Sequence, residues 1–123
     1  MKKEVILMYS GGLDSILSCI RLVRDGFKVY LIHFDNGSSI GTENIKKGAQ
    51  RLINRFDDNV EFLGIASTAA RFVYYRELVD IENLNPLELN DKYGKISMNQ
   101  YRCLLCRMAM YTYCISLAKK MNI

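Results

Sequence analysis

The chain has 123 residues, of which half are hydrophobic and 24% are charged, and its formal net charge is +4. This composition excludes a disordered chain, and the length allows one domain with a single core. No apolar run approaches the length of a membrane span and no secretory signal opens the chain, so we expect a cytoplasmic protein. The mild positive charge suits a nucleotide or RNA substrate without requiring a polyanion, and four cysteines without an export signal argue against a disulfide scaffold.

The first half of the chain alternates predicted strands and helices. Continuous apolar runs predict buried strands over residues 4–9, 28–34 and 59–66. Between them, a first helix ends near Gly26 and a second helix has Thr42 as its predicted N-cap. The predicted buried stripe of the first helix is Leu13, Ile16, Leu17, Ile20 and Val23, and that of the second is Ile45, Ala49, Leu52, Ile53 and Phe56.

This order predicts an α/β protein with a parallel sheet joined by helical crossovers. Ligands of such sheets bind beyond the carboxyl ends of the strands. Ser10, Asp35 and Ser67 follow or end the three predicted strands and should meet at that edge.

The segment of residues 10–15, Ser-Gly-Gly-Leu-Asp-Ser, lies between the first strand and the first helix. We call it the Gly-Gly loop. Its two glycines permit a tight bend and a close approach of the backbone to a ligand, and the helix that follows directs free N–H groups at the bend. Hydroxyl groups of Ser10 and Ser15 add donors, so the loop is predicted to bind phosphate or pyrophosphate. An ordinary strand–turn–helix corner is the structural alternative.

The second half of the chain is less regular. Residues 68–81 are predicted to be helical, and residues 83–102 form an irregular insertion that contains the single proline, Pro86. A last helix over residues 103–121 is predicted to bury a stripe of Leu104, Met108, Tyr111, Ile115 and Ala118. The chain ends at Ile123, where the alternating pattern would return to the sheet, so we expect a fragment or a domain that is completed by another chain or a second copy along strand 4–9.

Cys103 and Cys106 form a Cys-x-x-Cys pair at the predicted start of the last helix. This spacing brings two sulfurs within reach of one metal ion, one cluster or each other, and the helix dipole with Arg102 and Arg107 should favour thiolate. Burial of two small apolar residues is the structural alternative. Cys19 is expected to serve packing, and Cys114 lies about two turns beyond Cys106, too far to share an ion with it on a continuous helix. His33 is expected to be a buried, hydrogen-bonded imidazole in the second strand.

The Gly-Gly loop resembles the SGGxDS signature of the PP-loop ATP pyrophosphatases, and it matches at Ser10, Gly11, Gly12, Asp14 and Ser15. The cysteine helix is similar to that of sulfur-inserting members such as tRNA 4-thiouridine synthetases. The resemblance implies one ATP-binding domain over residues 1–123. It also implies a three-layer Rossmann-like (HUP-type) sheet with helices on both faces, incomplete at its C-terminal side, with a fourth strand beside the first.

The resemblance also implies functional roles. Residues 10–15, Leu13 included, would cradle the pyrophosphate of ATP, Asp14 would order the loop or hold Mg²⁺, and Phe34 and Asp35 would border the adenine. Cys103 and Cys106 would carry sulfur or bind Zn²⁺ or an iron–sulfur cluster. The implied reaction is adenylation of a nucleobase or tRNA carbonyl with release of pyrophosphate, followed by sulfur transfer. A 7-cyano-7-deazaguanine synthase-like enzyme of queuosine biosynthesis and a non-catalytic nucleotide-binding subunit are the alternatives.

Overall fold

The structure is a computed structural model that describes residues 3–35, 41–67 and 98–123, with side chains described at 3–35, 41–66 and 107–123. The elements are β1 (Lys3–Met8), α1 (Leu13–Arg24), β2 (Phe27–Asp35), α2 (Thr42–Phe56), a 3₁₀ turn (Asp57–Asn59), β3 (Val60–Ser67) and α3 (Met98–Met121). The predicted helix at 68–81 and most of the predicted insertion lie outside the described residues. Within them, no helix is both long enough and apolar enough to cross a bilayer.

The three strands form a parallel sheet in the order β1-β2-β3. In its register, Val5 lies opposite Val29, and Val29 lies opposite Val60. The strands agree with the predicted ones to within one residue at each end, and the predicted parallel α/β class is confirmed. In the part of the chain that the structure describes, β1 is hydrogen-bonded to β2 alone and is an edge strand.

The main core lies between the sheet and the helices α1 and α2. Its buried members come from α1, β2, α2 and β3 and from the residue after β1, and they are Tyr9, Cys19, Val29, Leu31, Ile45, Ala49, Leu52 and Val60. Side chains alternate between the two faces of a strand, so Val29 and Leu31 share the face that these helices cover. Phe34 lies on the other face, where its ring meets the Tyr113 ring of α3 edge-on at 5.6 Å. The sheet therefore carries helices on both faces.

The predicted buried stripe of α1 is wrong at two positions, because Leu13 is 70% exposed and Leu17 is 53% exposed. The helix instead turns Ser15 and Cys19 towards the sheet. Ser15 is tied to the backbone of the Gly-Gly loop, which sets the rotation of the helix about its axis. Leu13 and Leu17 are each two residues from Ser15, about 200° around the helix, so they face away from the sheet.

The predicted stripe of the last helix is wrong at three of its five positions; Ala118 is half-buried, and the side chain of Leu104 lies outside the described residues. Met108, Tyr111 and Ile115 are exposed, whereas a different side of α3 is half-buried: Met110, Cys114, Leu117 and Met121. Apolar residues occur on every side of this helix, so their spacing does not select the packed side. The helix also begins at Met98, five residues before the predicted start.

The second helix has the predicted buried residues but a different N-cap. Ile45, Ala49 and Leu52 are buried, and Ile53 and Phe56 pack against them. The N-cap is Gly41 in the left-handed conformation, and Thr42 is the first residue inside the helix. The carbonyl oxygen of Gly41 accepts the first helical hydrogen bond, from the N–H of Ile45, so Thr42 is too far into the helix to cap it.

Candidate functional site

The Gly-Gly loop bends sharply between β1 and α1. Gly11 has φ +83°, a conformation that L-residues with a side chain rarely adopt, and a Cβ atom at this position would collide with Cδ1 of Ile45. Gly12 is extended and is the N-cap of α1, but no side chain caps the helix. The predicted bend is therefore present, and glycine is required at position 11 both for the backbone angle and for the packing of α2.

Two serine hydroxyls hold the loop in this shape. Ser15 Oγ donates to the carbonyl oxygen of Gly12 at 2.9 Å and lies 3.2 Å from Ser10 Oγ. Ser10 Oγ in turn accepts a hydrogen bond from the N–H of Gly12 at 3.2 Å. Ser15 is the buried member of the pair and Ser10 is exposed, so the network runs from the core to the surface of the loop.

The first turn of α1 has the properties of an anion site. Its N–H groups at residues 13–15 face the bend without a side-chain cap, and the N-terminal end of a helix carries partial positive charge. Asp14 lies in this turn and is exposed, so its carboxylate is available to a cation that accompanies phosphate. Backbone donors, the exposed hydroxyl of Ser10 and the exposed carboxylate of Asp14 therefore lie within one short segment.

The carboxyl ends of the strands lie along one edge, as predicted. β2 ends at Asp35, whose Cα partner across the sheet is Ser67, the last residue of β3. Phe34 is half-buried beside the Tyr113 ring, and its place at the end of β2 matches the predicted adenine border. The structure thus brings Ser10, Asp35 and Ser67 to the same edge, while the binding roles of Phe34 and Asp35 stay predictions.

His33 links the second strand to the start of the loop. Its Nδ1–H donates to the carbonyl oxygen of Tyr9 at 2.8 Å, so the residue before Ser10 is fixed to β2. The N–H of Tyr9 also donates to the carbonyl oxygen of Ile32 at 2.7 Å. The predicted hydrogen bond of the imidazole is confirmed, but the side chain is half-buried rather than buried. Sequence reasoning missed that this bond positions the loop.

Tyr9 is a second residue whose role the sequence did not reveal. It is 2% exposed, and a Cβ atom on Gly48 of α2 would lie 2.5 Å from its hydroxyl oxygen. Burial raises the pKa of this phenol, so it is neutral at physiological pH. The Tyr9 side chain therefore packs against α2, while its backbone leads directly into the Gly-Gly loop. The available sequence signal for its burial was its position at the end of the apolar run of residues 4–9.

The cysteines fall into two groups. Cys103 and Cys106 lie on the backbone of α3 one turn apart, in its second and third turns. The prediction that the helix dipole favours thiolate at these two cysteines is therefore wrong, because the effect of the dipole is confined to the first turn. Cys19 is fully buried, and burial raises the pKa of its thiol to about 11. The packing role predicted for Cys19 is confirmed. Cys114 is half-buried, and burial also raises the pKa of its thiol.

The two residues predicted to bind a metal, Cys103 and Cys106, have side chains outside the part of the chain that the structure describes. Among the described side chains, no three His, Cys, Asp or Glu residues come close enough to hold a metal ion. Cys114 is eight residues beyond Cys106 on one continuous helix, about 12 Å along its axis, too far to share an ion. The metal or cluster predicted at Cys103 and Cys106 stays a prediction.

The fold and the loop define an α/β domain of the Rossmann-like PP-loop class, with its phosphate loop between β1 and α1. A model of the family described as "Thiamine biosynthesis protein (ThiI)" matches residues 1–123. The chain therefore belongs to the ThiI family, within the PP-loop ATP pyrophosphatases.

A curated protein supports the same placement. The chain is 34% identical over 70 residues to "7-cyano-7-deazaguanine synthase 2" of Colwellia psychrerythraea (strain 34H / ATCC BAA-681). The match covers 57% of this chain and 31% of that protein, so the chain spans under a third of the relative that it matches. No solved structure matches the chain significantly.

Proposed function

We propose that this chain binds ATP with Mg²⁺ in the Gly-Gly loop and activates a carbonyl acceptor by adenylation. The observation that carries this proposal is the uncapped first turn of α1 behind the bend at Gly11, in a chain that a PP-loop family model matches from end to end. The N–H groups of residues 13–15 would hold the β- and γ-phosphates, and the hydroxyls of Ser10 and Ser15 would join them by turning away from their hydrogen bonds within the loop. The carboxylate of Asp14 is the oxygen ligand that the loop offers to Mg²⁺.

The proposed chemistry depends on position and charge more than on acid–base groups. A carbonyl oxygen of the acceptor attacks the α-phosphorus, the bond to the β-phosphate breaks, and pyrophosphate leaves from the loop. The amides and hydroxyls of the loop stabilise the charge that develops on this leaving group. The acceptor carbon is then bonded to an AMP oxygen and is open to a nucleophile.

Sulfur is the first candidate for that nucleophile. A persulfide sulfur on Cys103 or Cys106 attacks the activated carbon, the carbon–oxygen bond breaks, and AMP leaves with the oxygen. The thiolate of the second cysteine then attacks the sulfur of the first, the S–S bond to the transferred sulfur breaks, and the thiocarbonyl product leaves. Cys103 and Cys106 are left as a disulfide, which a dithiol reductant must reduce and a persulfide donor must reload before the next turnover. The support for this role is the placement of both cysteines one turn apart on α3 in a member of the ThiI family. A nucleobase, free or in tRNA, is the proposed acceptor.

Two further candidates compete with sulfur transfer. The identity to a 7-cyano-7-deazaguanine synthase favours a small deazapurine as acceptor and ammonia as nucleophile. The edge position of β1 among the described residues favours a nucleotide-binding subunit whose strand is covered by a second chain or a second copy. In that case, catalysis would require the assembled protein.

Exchange of labelled pyrophosphate into ATP tests the adenylation step. We expect exchange that depends on Mg²⁺ and on an acceptor, either total tRNA or a small deazapurine, and loss of exchange in the Asp14→Ala variant. Mass spectrometry of the product separates sulfur from nitrogen insertion. Cys103→Ala and Cys106→Ala should abolish thiolation but leave exchange intact. Binding of ATP without exchange under any of these conditions would overturn the catalytic proposal and leave the subunit role.

A further inference from the structure

A groove runs between α1 and α2. It is open to solvent and has a volume of about 590 Å³. The residues that line it come from both helices: Ile16, Ile20, Gly48, Arg51, Leu52, Asn54 and Arg55. None of these residues belongs to the Gly-Gly loop, so the groove is separate from the proposed ATP site.

The α1 wall of the groove is apolar and extends beyond the lining residues. Leu13 and Leu17 are three residues before Ile16 and Ile20, and residues at this spacing are neighbours on a helix. These two leucines are 70% and 53% exposed, more than any other large apolar side chain of α1 or α2. Leu17, Ile16 and Ile20 therefore share one side of α1, where exposed apolar area is costly to leave in water.

The α2 wall carries two cations one turn apart. Arg51 and Arg55 are both exposed, and neither forms an ion pair with any residue whose side chain the structure describes. The guanidinium of Arg55 lies 5.6 Å from the centroid of the Phe56 ring, which supports it at the end of the helix. Gly48 lies one turn before Leu52 and contributes no side chain, so the groove is not obstructed at its centre.

We propose that the α1–α2 groove docks an acidic amphipathic helix of a partner protein. The apolar side of that helix would cover Leu17, Ile16 and Ile20, and two carboxylates one turn apart would pair with Arg51 and Arg55. The combination of an apolar wall and a cationic wall selects this occupant. A phosphate backbone would pair with the arginines but leave the leucines in water, and a second copy of this chain, with its net charge of +4, would oppose arginine to arginine.

A synthetic peptide tests the proposal without knowledge of the partner. The probe is an 18-residue helix with leucines along one side and two glutamates one turn apart beside them, and the control peptide has the same composition in scrambled order. Binding is measured by fluorescence anisotropy, and its location by amide chemical shifts. We expect the largest shifts at Ile16, Ile20 and Leu52, and no binding of the scrambled peptide.

Two matched pairs of substitutions distinguish a specific effect of the groove arginines on peptide binding from an effect of the net charge of the protein. Arg51→Glu with Arg55→Glu reverses the groove cations and should weaken peptide binding about tenfold, as expected when two charge pairs become repulsive. Lys46→Glu with Lys47→Glu makes the same change in net charge on exposed residues of α2 that do not line the groove, and should change binding less than about twofold. Leu17→Gln should also weaken the peptide. Thermal melts of each variant confirm that the fold is retained.

Several results would overturn the proposal. One is equal loss of binding in both charge-reversed pairs, and another is no peptide binding at about 1 mM, which is weaker than any useful docking site. A third is a single-stranded RNA that binds the groove more tightly than the peptide and is insensitive to Leu17→Gln, which would assign the arginines to nucleic acid. The measurement requires no ATP, so its failure would leave the proposed adenylation untouched.

Discussion

Replacement of Gly11 by alanine separates the backbone requirement of the loop from its packing requirement. Gly11 and Gly26 both have positive φ, +83° and +91°, but a Cβ atom would meet Ile45 Cδ1 at position 11 and nothing within 4 Å at position 26. The left-handed conformation costs an alanine about 1–2 kcal/mol, so each substitution should lower the free energy of unfolding by that amount. Gly11→Ala should cost more, because Ile45 must also move.

The size of the packing contribution can be measured with a second substitution. Ile45→Val removes Cδ1 at a cost of about 0.5–1.5 kcal/mol for a buried methyl group. In the double variant the alanine at position 11 no longer meets that atom. The combined loss of stability in urea unfolding should therefore be smaller than the sum of the two single losses.

Nucleotide binding provides the functional readout. Gly11→Ala should weaken the binding of Mg²⁺-ATP at least tenfold in calorimetry, because the amides of α1 lose their alignment with the bend, whereas Gly26→Ala should leave the affinity unchanged. Equal affinities in the two variants would refute the phosphate-site reasoning. Additive losses for Gly11→Ala and Ile45→Val would refute the proposed contact with Ile45.

Three further predictions concern other side chains. Ser15→Ala should lower stability by about 1 kcal/mol and weaken ATP binding, since it removes the hydroxyl bonded to Gly12; the exposed Ser18→Ala is its control, and equal effects of the two would contradict this role. Asp14→Ala should weaken Mg²⁺-ATP binding without lowering the melting temperature, because Asp14 is exposed, and an unchanged affinity would exclude it as a ligand. The Cys19 thiol should resist alkylation at pH 8 until the protein unfolds. Because its pKa is raised from 9.0 to about 11, its contribution to stability is complete below pH 9 and is lost as the pH rises towards 11 in urea titrations; a stability that is flat over this range would count against the burial.

Much of the fold followed from local pattern. The apolar runs predicted all three strands, because a parallel strand covered on both faces needs continuous apolar side chains, and β2 illustrates this with its buried Val29 and Ile32. The Gly-Gly loop could be located for a similar reason. Its bend depends on the absence of a side chain at Gly11, and its donors depend on the start of a helix.

The rotation of each helix about its own axis could not be predicted from the spacing of apolar residues. Leu13 and Leu17 fit a buried stripe as well as Ile16 does, but the tertiary structure turns α1 by the hydrogen bonds of Ser15 and places Cys19 against the sheet. In α3, apolar residues surround the helix, so their spacing does not select the side that packs, and the contact of Tyr113 with Phe34 is seen only in the tertiary structure.

The amino-acid sequence by itself determined where the strands lie, where the chain bends and which groups line that bend, because each depends on neighbours within a few residues. Only the tertiary structure decided which helix sides are exposed, that His33 fixes Tyr9, and that isoleucines of α1 and arginines of α2 line the same groove. These arrangements depend on contacts between elements distant in the chain, and several rotations of a helix bury similar apolar area until those contacts select one.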